Sequence, residues 1–160
     1  MRRMRTVSLI VILALATATP ARADATAFVG ADTTPANRAV RGFALGVGLL
    51  VVSFEFEYAT TSADDRVDAP ALKTGSGNIV LQPPFGLFGF QPYVTAGAGV
   101  FRERLGTHTE TSVAPNTGGG VKVSLAGPLQ LRADYRVFKL GSGALNSPAH
   151  SVYAGLNLKL

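Results

Sequence analysis

Apolar and polar residues alternate at every second position in one segment of this chain after another. The clearest segment is LQLRADYRVFKL at 129–140. Leu129, Leu131, Ala133, Tyr135 and Val137 take one set of positions, and Gln130, Arg132, Asp134 and Arg136 take the other. A period of two marks a β-strand whose faces meet different environments. In VVSFEFEYAT (51–60), Phe54, Phe56 and Tyr58 lie opposite Ser53, Glu55 and Glu57. In QPYVTAGAGVFR (91–102), Val94, Ala96, Ala98 and Val100 oppose Tyr93, Thr95, Gly97, Gly99 and Phe101. RGFALGVG (41–48) sets Phe43, Leu45 and Val47 against Ala44, Gly46 and Gly48. NTGGGVKVSL (116–125) sets Val121, Val123 and Leu125 against Gly120, Lys122 and Ser124. SVYAGLNLKL (151–160) sets Val152, Ala154, Leu156, Leu158 and Leu160 against Tyr153, Gly155, Asn157 and Lys159. Weaker candidates at 25–32 and 73–82, the latter with Ile79 and Leu81 on one face, bring the expected count to eight strands.

The links between these segments alternate in character. Leu49-Leu50 and Ala126-Gly127-Pro128 are tight turns, and PPFGLFGF (83–90) is apolar and marked by Pro and Gly. TTPANRA, TSADDRVDAPA, ERLGTHTETSVAP and GSGALNSPAH read instead as polar loops. An antiparallel up-and-down meander with short turns at one end and loops at the other accounts for this. Transmembrane β-barrels have that asymmetry.

Alternation alone does not say which face meets water. Three features favour an apolar exterior around a polar interior. The apolar positions carry Leu, Val, Phe and Ala, while the opposite positions mix charges with Gly, which a narrow lumen needs and a water-facing surface does not. Strands satisfy their backbone hydrogen bonds in lipid only when the sheet closes, and eight strands of this length meet the requirement. The inward charges are also nearly balanced: Glu55, Glu57 and Asp134 against Lys122, Arg132, Arg136 and Lys159. These seven are expected to form a lumen charge network that fills the barrel, because buried charges persist when paired.

The first residues change the reading of charge. MRRMRTVSLIVILALATATPARAD has a basic start, an apolar run from Val7 to Ala16 and the small-residue sequence Ala21-Arg22-Ala23. This is the pattern of a secretory signal peptide at 1–23, cut after Ala23, with a barrel domain at 24–160. The whole chain has 15 basic and 10 acidic residues. Removing Arg2, Arg3, Arg5 and Arg22 takes four of the 15, leaving 11 against 10, a net of +1. The basic balance thus belongs to the targeting segment and implies no nucleic acid partner. With no Cys, the chain has neither a disulfide framework nor a lipidated cysteine.

The C-terminal stretch Tyr153-x-Gly155-x-x-Leu158-x-Leu160 resembles the assembly signal of outer-membrane barrels, although Leu160 stands where that signal commonly has an aromatic residue. Together with GFALGVG, FEFEY, PYVTAGAGVF and GGGVKVSLAGPLQLRADYR, it makes the chain resemble the small outer-membrane β-barrel family that includes OmpA and OmpX. The resemblance covers nearly all of 24–160. It implies an all-β, eight-stranded antiparallel up-and-down transmembrane barrel in the outer membrane of a Gram-negative-type bacterium. It also implies dependence on the outer-membrane insertion machinery, and no appended peptidoglycan-binding domain is expected. That family holds adhesins, structural proteins and members without a known role, so it implies no one activity.

Candidate chemistry is sparse. Some small outer-membrane barrels act on the acyl chains of lipopolysaccharide with a His, a Ser and an acidic residue. His150 and Ser151 are neighbours here, and adjacent strand residues point to opposite faces. His108 is expected in a polar loop. Asp64-Asp65-x-x-Asp68 lacks the Gly and distal Glu of a calcium loop. The GSG and GGG stretches lack the Lys-Ser/Thr of a phosphate loop and read as turns and small lumen positions. Arg102 and Arg104 share the outward parity of Val94 to Val100, so phosphates of lipopolysaccharide are candidate ligands. The expectation is a monomeric, non-enzymatic, cofactor-free outer-membrane protein with a structural or surface-binding role. Outer-membrane lipids and lipopolysaccharide are its expected partners. A narrow solute channel, a lipid A-modifying enzyme and a soluble lipocalin-like barrel are the alternatives.

Overall fold

The computed structural model describes residues 22–49 and 51–160. Eight antiparallel strands follow in order: β1 (Arg22–Asp32), β2 (Arg38–Leu49), β3 (Val52–Thr61), β4 (Ala71–Leu81), β5 (Phe90–Leu105), β6 (His108–Ala126), β7 (Leu129–Phe138) and β8 (Ala149–Lys159). Each pairs with its neighbour in sequence, and β1 pairs with β8, so the sheet closes. Closure leaves no open edge along the wall, and this is what allows a sheet to sit in lipid. The expected signal peptide lies outside the described residues except for Arg22 and Ala23, which extend the start of β1.

The two faces follow the sequence pattern. Phe43, Leu45, Val47, Phe54, Phe56, Ile79, Val94, Leu131, Val152 and Leu156 are exposed on the outer wall. Between them, Glu55, Glu57, Arg132, Asp134 and Arg136 are buried in the lumen. The outer face also changes character along its length. Toward the loop end the outward positions become Arg41, Thr60, Lys73, Arg102, Thr111, Lys139 and His150, all at least partly exposed. Toward the short-turn end they stay apolar, through Leu49, Val52, Leu81, Leu158 and the β4–β5 turn, where Phe88 is fully exposed. An apolar belt with a polar upper margin is the surface a bilayer requires.

Two expectations change. Residues 103–115 are not a polar loop. β5 and β6 run on as a paired ladder to Leu105↔His108, and only Gly106-Thr107 turns the chain, with Gly106 at φ +56°. His108 is therefore a strand residue. The outward positions here are polar (Arg104, Thr109, Thr111) and the inward ones include a buried Glu103, so the apolar period fades while the strand continues. The GSG at 75–77 is likewise no turn. Gly75 and Gly77 lie in β4 on the outward face with Ile79, while Ser76 and Asn78 point inward.

Candidate functional site

The lumen is the most elaborate part of the molecule, and β3, β5 and β7 build it. Arg132 projects inward from β7 and grips Glu55 of β3 with both terminal nitrogens; the Nη2–Oε1 bond is 3.0 Å. The same guanidinium donates from Nε to Asp134 Oδ2 at 2.7 Å and from Nη2 to Asp134 Oδ1 at 3.0 Å. Tyr93 of β5 closes the arrangement: its hydroxyl donates to Asp134 and accepts from Arg132 Nε at 2.8 Å. The Arg132 guanidinium also lies 4.9 Å from the Tyr93 ring centroid. One level toward the loops, Arg136 bonds Glu55 and Glu57 from Nη2, each at 2.9 Å, and Thr95 from Nη1 at 3.1 Å. Five charged side chains and Tyr93 thus form one continuous cluster. The planar guanidinium fork suits it, since each Arg addresses two carboxylates at once.

Space for the cluster comes from glycine. A Cβ on Gly120 would press on the Ala133 carbonyl and approach the Tyr93 hydroxyl to 2.5 Å. Any larger residue there would displace the tyrosine that bridges Arg132 and Asp134.

The other two expected members of the network lie elsewhere. Lys122 pairs with Asp24 of β1 at 2.8 Å, near the short-turn mouth, and sequence reasoning missed Asp24. Lys159 lines the same mouth with Arg22, Asp24 and Lys122, and among the described residues it makes no ion pair. Between mouth and cluster, Thr26 donates to Asn157 at 2.7 Å, and Asn157 donates to Gln130 at 3.0 Å.

At the loop end the interior turns apolar. Leu72, Phe101, Ala114, Phe138, Leu140 and Ala149 pack together, with Phe101 fully buried. The segment after β7 folds over this cap: Lys139 N donates to Pro115 O at 2.9 Å, and Leu145 N to Glu103 Oε1 at 3.0 Å. Also near this end, Arg38 and Asp32 form a buried ion pair at 2.9 Å. The lumen is therefore filled along its length: the Lys122–Asp24 pair and polar side chains at the mouth, the charge cluster in the middle, and an apolar cap above with the Arg38–Asp32 pair near it.

The remaining candidates lie on the wall. Tyr153 points inward and stacks on Phe28 at 4.4 Å between centroids, over the space left by Gly155, the ladder partner of Phe28. Leu158 and Leu160 point outward. Arg102 and Arg104 are exposed on the outer face of β5. His150 is directed outward, with Nδ1 2.6 Å from the Tyr135 hydroxyl, while Ser151 is buried on the inner face. The chain does not bring that His and Ser together. In the acidic loop, Asp64 accepts a hydrogen bond from Arg66 N at 3.0 Å and caps the short 3-10 helix Asp65–Val67.

No family model matches the chain, and no curated protein matches it. Solved structures do. The N-terminal β-barrel domain of Pseudomonas aeruginosa OprF superposes with a TM-score of 0.69 at 16% identity, over 87% of this chain and 97% of that one. Neisserial surface protein A gives a TM-score of 0.63 at 19% identity, over 88% and 96%. The outer membrane enzyme PagL gives 0.53 at 15% identity, over 86% and 99%. At such identities the likeness is one of fold, and neighbours of different activity share it. The closed eight-stranded ladder, its polarity and these neighbours agree that the chain has the fold of the small outer-membrane β-barrels.

Proposed function

We propose that the chain is an integral outer-membrane protein with a filled lumen and a structural or surface-binding role, without catalytic activity. The observation that carries this reading is its polarity. Large apolar side chains are exposed along the outer wall, whereas Glu55, Glu57, Arg132, Asp134 and Arg136 are buried inside. In water this arrangement would expose far more apolar surface than a soluble monomer carries. In a bilayer it meets the requirement on both sides.

The filled lumen argues against the channel alternative. A passing solute would have to part the apolar cap and then separate paired charges. The fold likeness to PagL keeps an enzymatic reading in view, yet His150 and Ser151 face opposite sides of the wall. Export by a cleaved signal peptide, insertion through the Tyr153, Gly155, Leu158 and Leu160 signal, and a monomeric state belong to the same proposal. Cell fractionation tests it. The folded protein is expected in the outer membrane, migrating faster before boiling than after. Recovery from the soluble periplasm would overturn it. Lipid A mass profiles that change with the presence of the protein would overturn the non-catalytic part alone.

A further inference from the structure

Lys73 and Arg102 are direct ladder partners on β4 and β5, and both are exposed on the outer wall. Arg104 follows two residues on, with the same outward parity and opposite Ala71. Like charges set directly across a ladder repel. Elsewhere among the described residues the four buried cations, Arg38, Lys122, Arg132 and Arg136, all have carboxylate partners. Lys73, Arg102 and Arg104 have no ion pair among the described residues. Glu103, between the two arginines in sequence, is turned inward and buried. One carboxylate, Asp65, lines the same cleft from the loop above.

The wall below these cations is unusually bare. On β4 the next two outward residues are Gly75 and Gly77, and a Cβ built on either meets nothing within 4 Å. Their partners on β5 are Val100 and Ala98. A shallow apolar track therefore runs from the cations down the lipid-facing wall.

Resting on the membrane-spanning reading, we propose that this surface binds a phosphorylated acyl lipid of the outer leaflet. Lys73, Arg102 and Arg104 would hold the phosphate groups, and an acyl chain would lie along Gly75, Gly77 and Ala98. A phosphate supplies the anion that the like-charge pair lacks, through charge-assisted hydrogen bonds. It also sits where the outer faces of β3, β4 and β5 turn from apolar to polar. The chemistry matches the phosphates of lipid A. Free phosphate shares the anion but not the acyl chain, so the two sources are separable.

The full chain, folded in neutral detergent, is examined by native mass spectrometry with doubly phosphorylated lipid A, its dephosphorylated counterpart or inorganic phosphate. Heat-modifiable migration monitors folding throughout. Wild type is expected to favour the phosphorylated lipid by at least roughly tenfold. K73Q/R102Q/R104Q is expected to lose that preference. G77L, which fills the track, is expected to weaken the lipid and leave phosphate unaffected. As a second line, K73Q alone should raise thermal stability in neutral detergent by removing repulsion, and should reduce the gain on adding phosphorylated lipid. A triple variant that keeps the preference overturns the proposal. So does a G77L variant that binds the lipid as wild type does, which leaves a simple anion site. Either failure in a protein that still migrates as a folded membrane barrel leaves the membrane-spanning reading intact.

Discussion

Arg132 and Glu55, 77 residues apart in sequence, meet across the lumen as a fork against a carboxylate, with 3.0 Å between Nη2 and Oε1. Both side chains are almost fully buried. The pair joins β7 to β3 through the interior, across a barrel whose wall is held only by nearest-neighbour ladders.

Removing one partner of such a pair leaves the other charge buried and unmatched. Arg132→Ala is expected to destabilise the folded barrel by about 3–5 kcal/mol, because Glu55 and Asp134 both lose their main cation. Arg132→Lys is expected to fall between, since it keeps the charge and loses the fork. Urea unfolding in lipid vesicles, followed by heat-modifiable migration, measures both. An Arg132→Ala barrel as stable as wild type would show that the cluster fills space without supporting the fold.

The outer wall predicts the opposite sensitivity to charge. Phe56→Arg puts a cation among the belt residues of β3 and is expected to cost about 2–4 kcal/mol. Thr60→Arg lies four residues nearer the loop end, where the wall is already polar, and even with the repulsion of its ladder neighbours Arg41 and Lys73 is expected to cost only about 1 kcal/mol. The same unfolding assay compares them. Equal costs would mean that the wall has no polar margin.

The filled lumen predicts a silent barrel. Planar-bilayer recordings of wild type should show no discrete conductance steps. Phe101→Ala should stay silent too, because the Arg136 and Arg132 cluster lies below the apolar cap. Reproducible steps from the wild-type protein would favour the channel alternative.

Two glycines close together in the wall should respond differently to the same change. A Cβ on Gly97 would press on the Gly77 carbonyl and come within 2.8 Å of Asn78 Cα, so Gly97→Ala is expected to cost about 1–3 kcal/mol. A Cβ on Gly77 meets nothing, and Gly77→Ala is expected to stabilise by roughly 0.4–1 kcal/mol, chiefly by restricting the unfolded chain. Matching shifts in urea midpoint would contradict the assigned faces.

The strands and their faces were legible wherever lipid and lumen both act on the sequence, as along Leu129 to Phe138. There the period of two is enforced from both sides. It fades in 103–115 because the outward Arg104, Thr109 and Thr111 are polar, while the inward Glu103 and Ala114 are buried under the segment that follows β7. Gly75 and Gly77 could not report their face, since glycine has no side chain to be apolar or polar. The charged residues of the lumen were legible by parity, and Arg132 and Arg136 meet carboxylates set against them there, but the partner of Lys122 was not legible. Lys122 meets Asp24 at a separation of 98 residues, and that meeting depends on the register of the closed sheet. Lys159 shares the inward parity of Asn157 yet ends at the mouth, one step beyond the packed interior.

The inside-out polarity of the wall is the claim on which the rest depends. The chain contains no tryptophan, so a single introduced indole reports one position without background. Phe56→Trp and Phe28→Trp, each folded into vesicles of lipids brominated on their acyl chains, make the comparison. Phe56 is exposed on the outer wall and Phe28 is buried in the lumen against Tyr153. Strong quenching of the first and little of the second is predicted. Quenching of Phe28→Trp with protection of Phe56→Trp would contradict it.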